Sequence, residues 1–121
     1  MTDERAETSP APKLDATIVR DLFDTLGPNA PRALARVVTS FLQSSSENLA
    51  ALAQAARNHD AIGLRAAAHS LKGSAGMLGA ARVAALCRQL EVSGAAAPEE
   101  LNDLTRARDA AVTAWRERLA G

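Results

Sequence analysis

A histidine with a lysine and two glycines at helical spacing is the feature of this sequence best suited to chemistry. His69 is followed by Lys72, Gly73 and Gly76 within residues 67–79. At about 100° per residue these four residues form one stripe of a helix. Each glycine costs a helix roughly 0.5–1 kcal/mol relative to alanine, but it leaves the backbone bare. The pattern predicts an imidazole that faces solvent, with an ammonium group beside it and room for a partner to approach.

The same helix carries an apolar stripe, which predicts how the histidine is positioned. The stripe spans roughly 80° of the helical wheel and consists of Leu64, Ala68, Leu71, Ala75 and Leu78. Its centre lies about 140° from the stripe that contains His69. We therefore expect the apolar stripe to be buried in a core and the histidine to lie on the outer surface.

Residues 68–75 read Ala-His-Ser-Leu-Lys-Gly-Ser-Ala, and they are followed by Gly79 and by Leu-Cys-Arg-Gln-Leu-Glu at residues 86–91. This combination resembles the signature of histidine-containing phosphotransfer (HPt) domains of bacterial two-component phosphorelays. The resemblance covers roughly residues 15–119. It implies that His69 carries a phosphoryl group on its outer ring nitrogen, with Lys72 beside it and Gly73 clearing space.

The resemblance also suggests which residue orients the ring. A neutral imidazole is nucleophilic only through its unprotonated nitrogen, so the other nitrogen must hold the proton. In the family a glutamine or glutamate commonly occupies the place of Glu91, which is therefore the expected hydrogen-bond partner of His69. Gln89 and Arg88 are weaker candidates for this role.

Phosphoryl transfer also needs cations near the equatorial oxygens, where negative charge spreads in the transition state. Lys72, one turn after the histidine, can supply such a charge. Arg65, one turn before it, is a second candidate that the family does not require. The residues expected to contact the partner are Arg65, Ser70, Gly73 and Gly76.

The implied function is that of a phosphorelay intermediate, which accepts a phosphoryl group on His69 from a receiver-domain aspartate and passes it to, or back to, another receiver domain. The expected partners are receiver domains of response regulators or hybrid histidine kinases. No glycine-rich loop follows a strand, so we expect no ATP site and no kinase activity. No metal-ligand spacing is present, and we expect neither metal nor cofactor. The alternative function is a helical adaptor that binds a signalling partner without phosphotransfer.

Cys87 and His59 are the other two residues with potential for chemistry, and both have structural interpretations. Cys87 shares a helix face with Val83 and Leu90, so we expect a small buried core residue rather than a thiol nucleophile. His59 follows Asn58 in a turn and is expected near the carbonyl groups of a helix end rather than as a ligand.

The composition favours a single helical domain without a strong electrostatic field. The chain has 121 residues, 47% of them hydrophobic, with two Phe, one Trp and no Tyr, so its core must be built from aliphatic residues and closely packed alanine. Fourteen basic and fourteen acidic residues balance, which argues against nucleic-acid or membrane binding. One cysteine and no apolar leader predict a reduced, cytoplasmic setting. We expect a monomer.

The chain divides into a flexible tail over residues 1–13 and a domain over residues 14–121. Start and stop signals predict five helices. They run from Asp15 to Gly27-Pro28, from Asn29-Pro31 to Asn58, from Asp60 to Leu78, from after Gly79 to Ser93-Gly94, and from Pro98 onward. Short connections favour an all-α, antiparallel up-and-down four-helix bundle, with the short first helix across one end. Arg108 falls on the buried seam of the last helix, and its head is expected to reach water.

Overall fold

The computed structural model describes residues 11–121, and every regular element in this part of the chain is a helix. A short 3₁₀ turn, Gly27–Asn29, joins the first two helices. The helices are α1 (Ala16–Leu26), α2 (Ala30–Arg57), α3 (Ala61–Met77), α4 (Ala81–Ser93) and α5 (Pro98–Ala120). Within the described residues, no helix is both long enough and apolar enough to cross a membrane.

Helices α2 to α5 form a closed ring around one core. Each helix packs against the next along the chain, and α5 packs against α2. Short connections make neighbouring helices antiparallel, so the predicted up-and-down four-helix bundle is confirmed. The core is aliphatic and rich in alanine, and its largest fully buried side chains include Leu34, Leu52, Leu64, Leu71, Leu104 and Trp115.

Helix α1 lies over the end of the bundle at which α3 ends, as predicted. The Asp15 side chain caps α1 by accepting hydrogen bonds from the amides of residues 17 and 18, and its own amide donates to the Gly79 carbonyl at 2.7 Å. At the other end of α1 the ring of Phe23 stacks on Trp115 with centroids 6.2 Å apart. The indole of Trp115 donates to the Leu78 carbonyl at 2.9 Å. The contacts of α1 thus fix the end of α3, the helix that carries His69.

Of the caps predicted for the later helices, the one at Asp60 is confirmed and the one at Asn29 is wrong. Asp60 accepts a hydrogen bond from the Gly63 amide at 2.9 Å and begins α3. Helix α5 begins at Pro98, as predicted, and the structure adds a contact there, in which Glu100 accepts a hydrogen bond from the Ala97 amide at 2.8 Å. The expected cap at Asn29 is wrong, because this residue has helical backbone angles and its side chain makes no cap bond. The 3₁₀ turn leads directly into α2, so Asn29 is not in the extended conformation that a cap requires.

The position of the Arg108 head differs from the sequence-based expectation. Arg108 is only 8% exposed, and its guanidinium does not extend into water. Its Nη1 donates to the Ser45 hydroxyl at 2.8 Å and to the Ser46 hydroxyl at 3.0 Å, both on α2. The Nε donates to Asp109 at 2.8 Å. A buried charged group needs hydrogen-bond partners, and the two serines supply two of the acceptors. Helix α2 continues unbroken through both serines.

The first residues described belong to the predicted tail, and α4 holds two of them. The amide of Arg82 donates to the Pro12 carbonyl at 3.0 Å, and its Nε donates to the Ala11 carbonyl at 2.9 Å. The expectation of flexibility for residues 1–10 lies outside the described part of the chain. These contacts are at the α3–α4 turn.

Candidate functional site

Helix α3 buries one face and exposes His69 on the opposite one. The five residues of the predicted apolar stripe, Leu64, Ala68, Leu71, Ala75 and Leu78, are all at most 3% exposed. The His69 side chain is 73% exposed. The helical wheel therefore placed both stripes correctly, and the imidazole is accessible from outside the bundle.

Glu91 of α4 joins the ring of His69 to the ammonium group of Lys72. The Nδ1 atom of His69 lies 2.9 Å from Oε2 of Glu91. The other carboxylate oxygen, Oε1, accepts a hydrogen bond from Lys72 and forms an ion pair with it. The Glu91 and Lys72 side chains are 22% and 30% exposed, respectively, so this pairing is partly shielded from water while the ring remains open.

The charge on Glu91 decides which nitrogen of His69 carries the proton. The hydrogen bond from Lys72 lowers the pKa of the Glu91 carboxyl below its ordinary value; partial burial opposes this shift, and the bond to His69 adds to the lowering. An ionised carboxylate can only accept hydrogen bonds. Nδ1 of His69 is therefore the donor, and in the neutral ring Nε2 keeps its lone pair. Nε2 makes no hydrogen bond to any residue among 11–121.

A sequence model of the Hpt domain matches residues 36–120, which is most of the chain. This chain belongs to the Hpt domain family. Its structure is similar to the crystal structure of histidine-containing phosphotransfer protein B (HptB) from Pseudomonas aeruginosa PAO1, with 27% sequence identity and a TM-score of 0.78, over 91% of this chain and 96% of that one. A comparison with curated protein sequences gave no match. Family and fold together support a phosphotransfer role in phosphorelays.

Arg65 of the Hpt domain makes its side-chain hydrogen bond to the backbone of α4. Its Nε donates to the carbonyl oxygen of Glu91 at 2.9 Å. The guanidinium lies against Gly94, the residue that ends α4. Arg65 thus contacts the backbone of the residue whose carboxylate contacts His69.

The other residues assigned to partner contact lie on the exposed surface of α3. Ser70, Gly73 and Gly76 are exposed. A Cβ atom added at Gly73 or at Gly76 would have no other atom within 4 Å, apart from the backbone of its own turn. Neither glycine is needed for helix packing, so both leave open space next to the ring.

The other residues considered for a chemical role, Arg88, Gln89 and Cys87, make no hydrogen bond to the ring of His69. Arg88 and Gln89 are exposed on α4, and Glu91 rather than either of them contacts His69. Cys87 is fully buried, as predicted, and burial raises the pKa of its thiol to about 12, with a smaller effect from Glu91. A thiol with that pKa is not a nucleophile near neutral pH.

His59 is a residue of the α2–α3 turn. It has a positive φ of 54°, and its amide donates to the Ala56 carbonyl at 3.2 Å, so its predicted place beside carbonyls at the end of a helix is confirmed. Within residues 11–121, no three His, Cys, Asp or Glu side chains are close enough to hold a metal ion together.

Two exposed apolar side chains on α3 were missed by the sequence analysis. Ile62 is 82% exposed and Met77 is 74% exposed. On the helical wheel they fall about 20° and 80° from His69, and they lie about 10 and 12 Å from it along the axis at 1.5 Å per residue. The helical wheel places both residues on the same side of α3 as the histidine. Apolar residues are usually assigned to the core, so their exposure is recognised only when the buried face of the helix is known.

Proposed function

We propose that this Hpt domain accepts a phosphoryl group on Nε2 of His69 from a receiver-domain aspartate and transfers it to another receiver domain. The observation that carries the proposal is the exposed ring of His69, whose Nδ1 is held by Glu91 at 2.9 Å. That bond leaves Nε2 as the nitrogen with a lone pair, on a ring that is open to solvent. A nucleophile with a fixed tautomer and open access meets the main requirements of transfer between two proteins.

The proposed transfer to His69 forms one bond to phosphorus and breaks another. The Nε2 lone pair of His69 attacks the phosphorus of the aspartyl phosphate, and the bond from phosphorus to the aspartate oxygen breaks. The aspartate leaves as a carboxylate, and a nitrogen–phosphorus bond forms. Positive charge develops on the ring because Nδ1 keeps its proton, and the Glu91 carboxylate stabilises that charge. Transfer to the next receiver follows the same step in reverse.

Lys72 is proposed to stabilise the transferring phosphoryl group. Its ammonium lies one helical turn from His69 and is paired with Glu91 in the unphosphorylated protein. A phosphoryl group on the neighbouring ring adds negative charge that attracts the same ammonium, since charge spreads over the equatorial oxygens during transfer. Lys72 can therefore exchange part of its contact with Glu91 for a contact with the phosphoryl group.

The receiver is proposed to dock on the exposed face of α3. Gly73 and Gly76 leave the helix backbone open next to the ring, and their added Cβ atoms would meet nothing within 4 Å outside the local backbone. Ile62 and Met77, exposed on either side of His69, offer apolar surface for burial. Apolar contacts outside the reactive centre provide binding energy, while the centre itself stays open to the partner's aspartate.

The proposal is tested by incubating the protein with a panel of receiver domains carrying radiolabelled aspartyl phosphate. We expect label on His69, acid-labile and base-stable, and loss of that label in His69→Gln with the fold intact. His59→Asn is the matched control and should keep the label. Radiolabelled ATP alone should give none. Label that persists in His69→Gln would disprove the assignment, and receiver binding without label would favour the adaptor.

A further inference from the structure

Arg65 connects α3 to the last turn of α4 at one particular carbonyl. Its Nε donates to the Glu91 carbonyl oxygen at 2.9 Å. The guanidinium lies across Gly94, where an added Cβ would be 2.5 Å from Nη2 and 2.7 Å from Cζ of Arg65. Gly94 ends α4 in the left-handed conformation, with a φ of +71°. The absence of a side chain at Gly94 therefore makes room for Arg65.

The Glu91 carbonyl needs a donor from outside its own helix. The last carbonyls of a helix have no partner within it. The amide four residues beyond Glu91 belongs to Ala95, and it donates to the Ser93 hydroxyl at 3.2 Å instead. Arg65 fills the vacant position, and its positive charge is favourable beside the negative end of the helix dipole.

We propose that Arg65 is a positioning residue for His69 that acts through Glu91. Both ends of Glu91 are bonded to α3, because its carbonyl accepts from Arg65 while its carboxylate contacts His69 and Lys72. Holding the Glu91 backbone limits the positions that its carboxylate can take, and so keeps the proton of the ring on Nδ1. The effect on transfer rests on the function proposed above, whereas the effect on the ring does not.

The test compares Arg65→Ala with Arg65→Gln. Glutamine has its amide nitrogen the same number of bonds from the backbone as Nε of arginine, so it keeps the donor and removes the charge. ¹⁵N NMR of the unphosphorylated protein reports the tautomer of His69. In Arg65→Ala we expect a smaller population with the proton on Nδ1 and transfer slowed by up to about tenfold, equal to about 1.4 kcal/mol. Arg65→Gln should retain most of both properties.

Two controls separate positioning from charge and from general loss of structure. Arg88→Ala removes an equal charge from the exposed surface of α4, and Arg88 makes no side-chain hydrogen bond or ion pair with residues 11–121. It should leave the His69 tautomer unchanged. Gly94→Ala displaces the Arg65 guanidinium and also strains the backbone at a φ of +71°. Its effect on the tautomer should therefore be larger in the wild-type protein than in the Arg65→Ala background, where only the strain remains.

Each outcome decides for or against the proposal. An unchanged His69 tautomer in Arg65→Ala overturns it, as does an Arg65→Gln variant as impaired in the tautomer as Arg65→Ala. Slower transfer with an unchanged tautomer also overturns it, because Arg65 would then act on the partner or on the phosphoryl group. Failure of the wild-type protein to accept a phosphoryl group refutes the proposed function alone, and the tautomer measurement still tests Arg65.

Discussion

Glu91 is the residue through which the ring and its neighbouring cation affect each other. One carboxylate oxygen contacts Nδ1 of His69, and the other pairs with Lys72. The hydrogen bond from Lys72 lowers the pKa of the Glu91 carboxyl, which favours its ionised form, and an ionised carboxylate accepts the proton that Nδ1 carries. The Glu91 carboxylate at Nδ1 thus determines that Nε2, the nitrogen we propose as the nucleophile, keeps its lone pair.

We predict that Lys72→Ala slows phosphotransfer much more than it destabilises the fold. The Lys72–Glu91 pair is partly exposed, and such pairs contribute about 0–1 kcal/mol to stability. In the proposed function the same ammonium stabilises the negative charge that spreads over the phosphoryl oxygens in the transition state. Transfer rates and thermal unfolding, measured on the same preparation, test this, and Lys72→Arg is the control that keeps the charge. A variant that unfolds easily yet transfers normally would make Lys72 a structural residue.

Lys72→Ala is also predicted to change how the stability of the fold depends on pH. The hydrogen bond from Lys72 is the largest cause of the lowered pKa of Glu91 in the folded state. A lowered carboxyl pKa favours the folded state above the ordinary pKa, and this contribution is lost as the pH falls through the lowered value. In Lys72→Ala the pKa of Glu91 should rise towards its ordinary value, so this contribution should be smaller and its loss should be complete at a higher pH. Titration of the Glu91 carboxyl carbon by NMR measures the change, and an unchanged pKa would contradict it.

Helix α3 separates packing from access on its two faces. Its apolar face is at most 3% exposed, whereas Gly73 and Gly76 on the other face have open space around them. Changes to the outer face should therefore affect the partner's approach without disturbing the core.

Gly73→Leu is predicted to stabilise the protein and block phosphotransfer. Leucine is a better helix former than glycine by about 0.8 kcal/mol, and Cβ has no neighbour to strike at this position. The longer side chain would cover the surface that a receiver must cross to reach His69. Thermal unfolding and transfer from a phosphorylated receiver should therefore change in opposite directions.

Gly73→Ala separates the two effects of that substitution. It gives at least as large a gain in helix propensity with only a methyl group, so it should stabilise the protein and keep most of the transfer rate. Normal transfer in Gly73→Leu would show that the receiver does not approach across this position. Unfolding of Gly73→Leu at a lower temperature would show that the helix surface there is not open.

Helical periodicity predicted which residues of a single helix are buried or exposed. It could not predict which side chains of two neighbouring helices contact each other. The buried and exposed stripes of α3 follow from 3.6 residues per turn, and so did the exposure of His69. The contact of Glu91 with the ring came from family resemblance, because no local rule gives the register of α3 against α4. The bond from Arg65 to the α4 backbone and the burial of Arg108 depend on such registers too.

On the scale of the whole molecule, the buried polar cluster between α5 and α2 is separate from the face that carries His69. His69, Lys72 and Glu91 lie on α3 and α4, while α2 and α5 close the ring of helices on another side. At that closure the buried guanidinium of Arg108 bonds to the hydroxyls of Ser45 and Ser46. This cluster joins α5 to α2 and touches none of the groups around His69.

Arg108→Ala is therefore predicted to lower the free energy of unfolding by about 2–3 kcal/mol, from lost packing of the stem and lost hydrogen bonds to the guanidinium. Urea unfolding followed by the fluorescence of Trp115, the single and buried tryptophan, measures this change. Phosphotransfer per folded molecule should not change, because the cluster and the reactive face share no residue.

Two further variants show which part of the Arg108 side chain acts. Arg108→Met keeps most of the stem and removes the guanidinium, so its loss of stability should be smaller than that of Arg108→Ala and should measure the polar contacts alone. Arg116→Ala removes an exposed arginine from the same helix and should change stability by no more than about 0.5 kcal/mol. If Arg108→Ala were as stable as the wild type, the buried cluster would not hold α5 to α2. If fully folded Arg108→Ala transferred the phosphoryl group more slowly than the wild type, the contact between α5 and α2 would be coupled to the face that carries His69. Stability and phosphotransfer would then not be separate in this bundle.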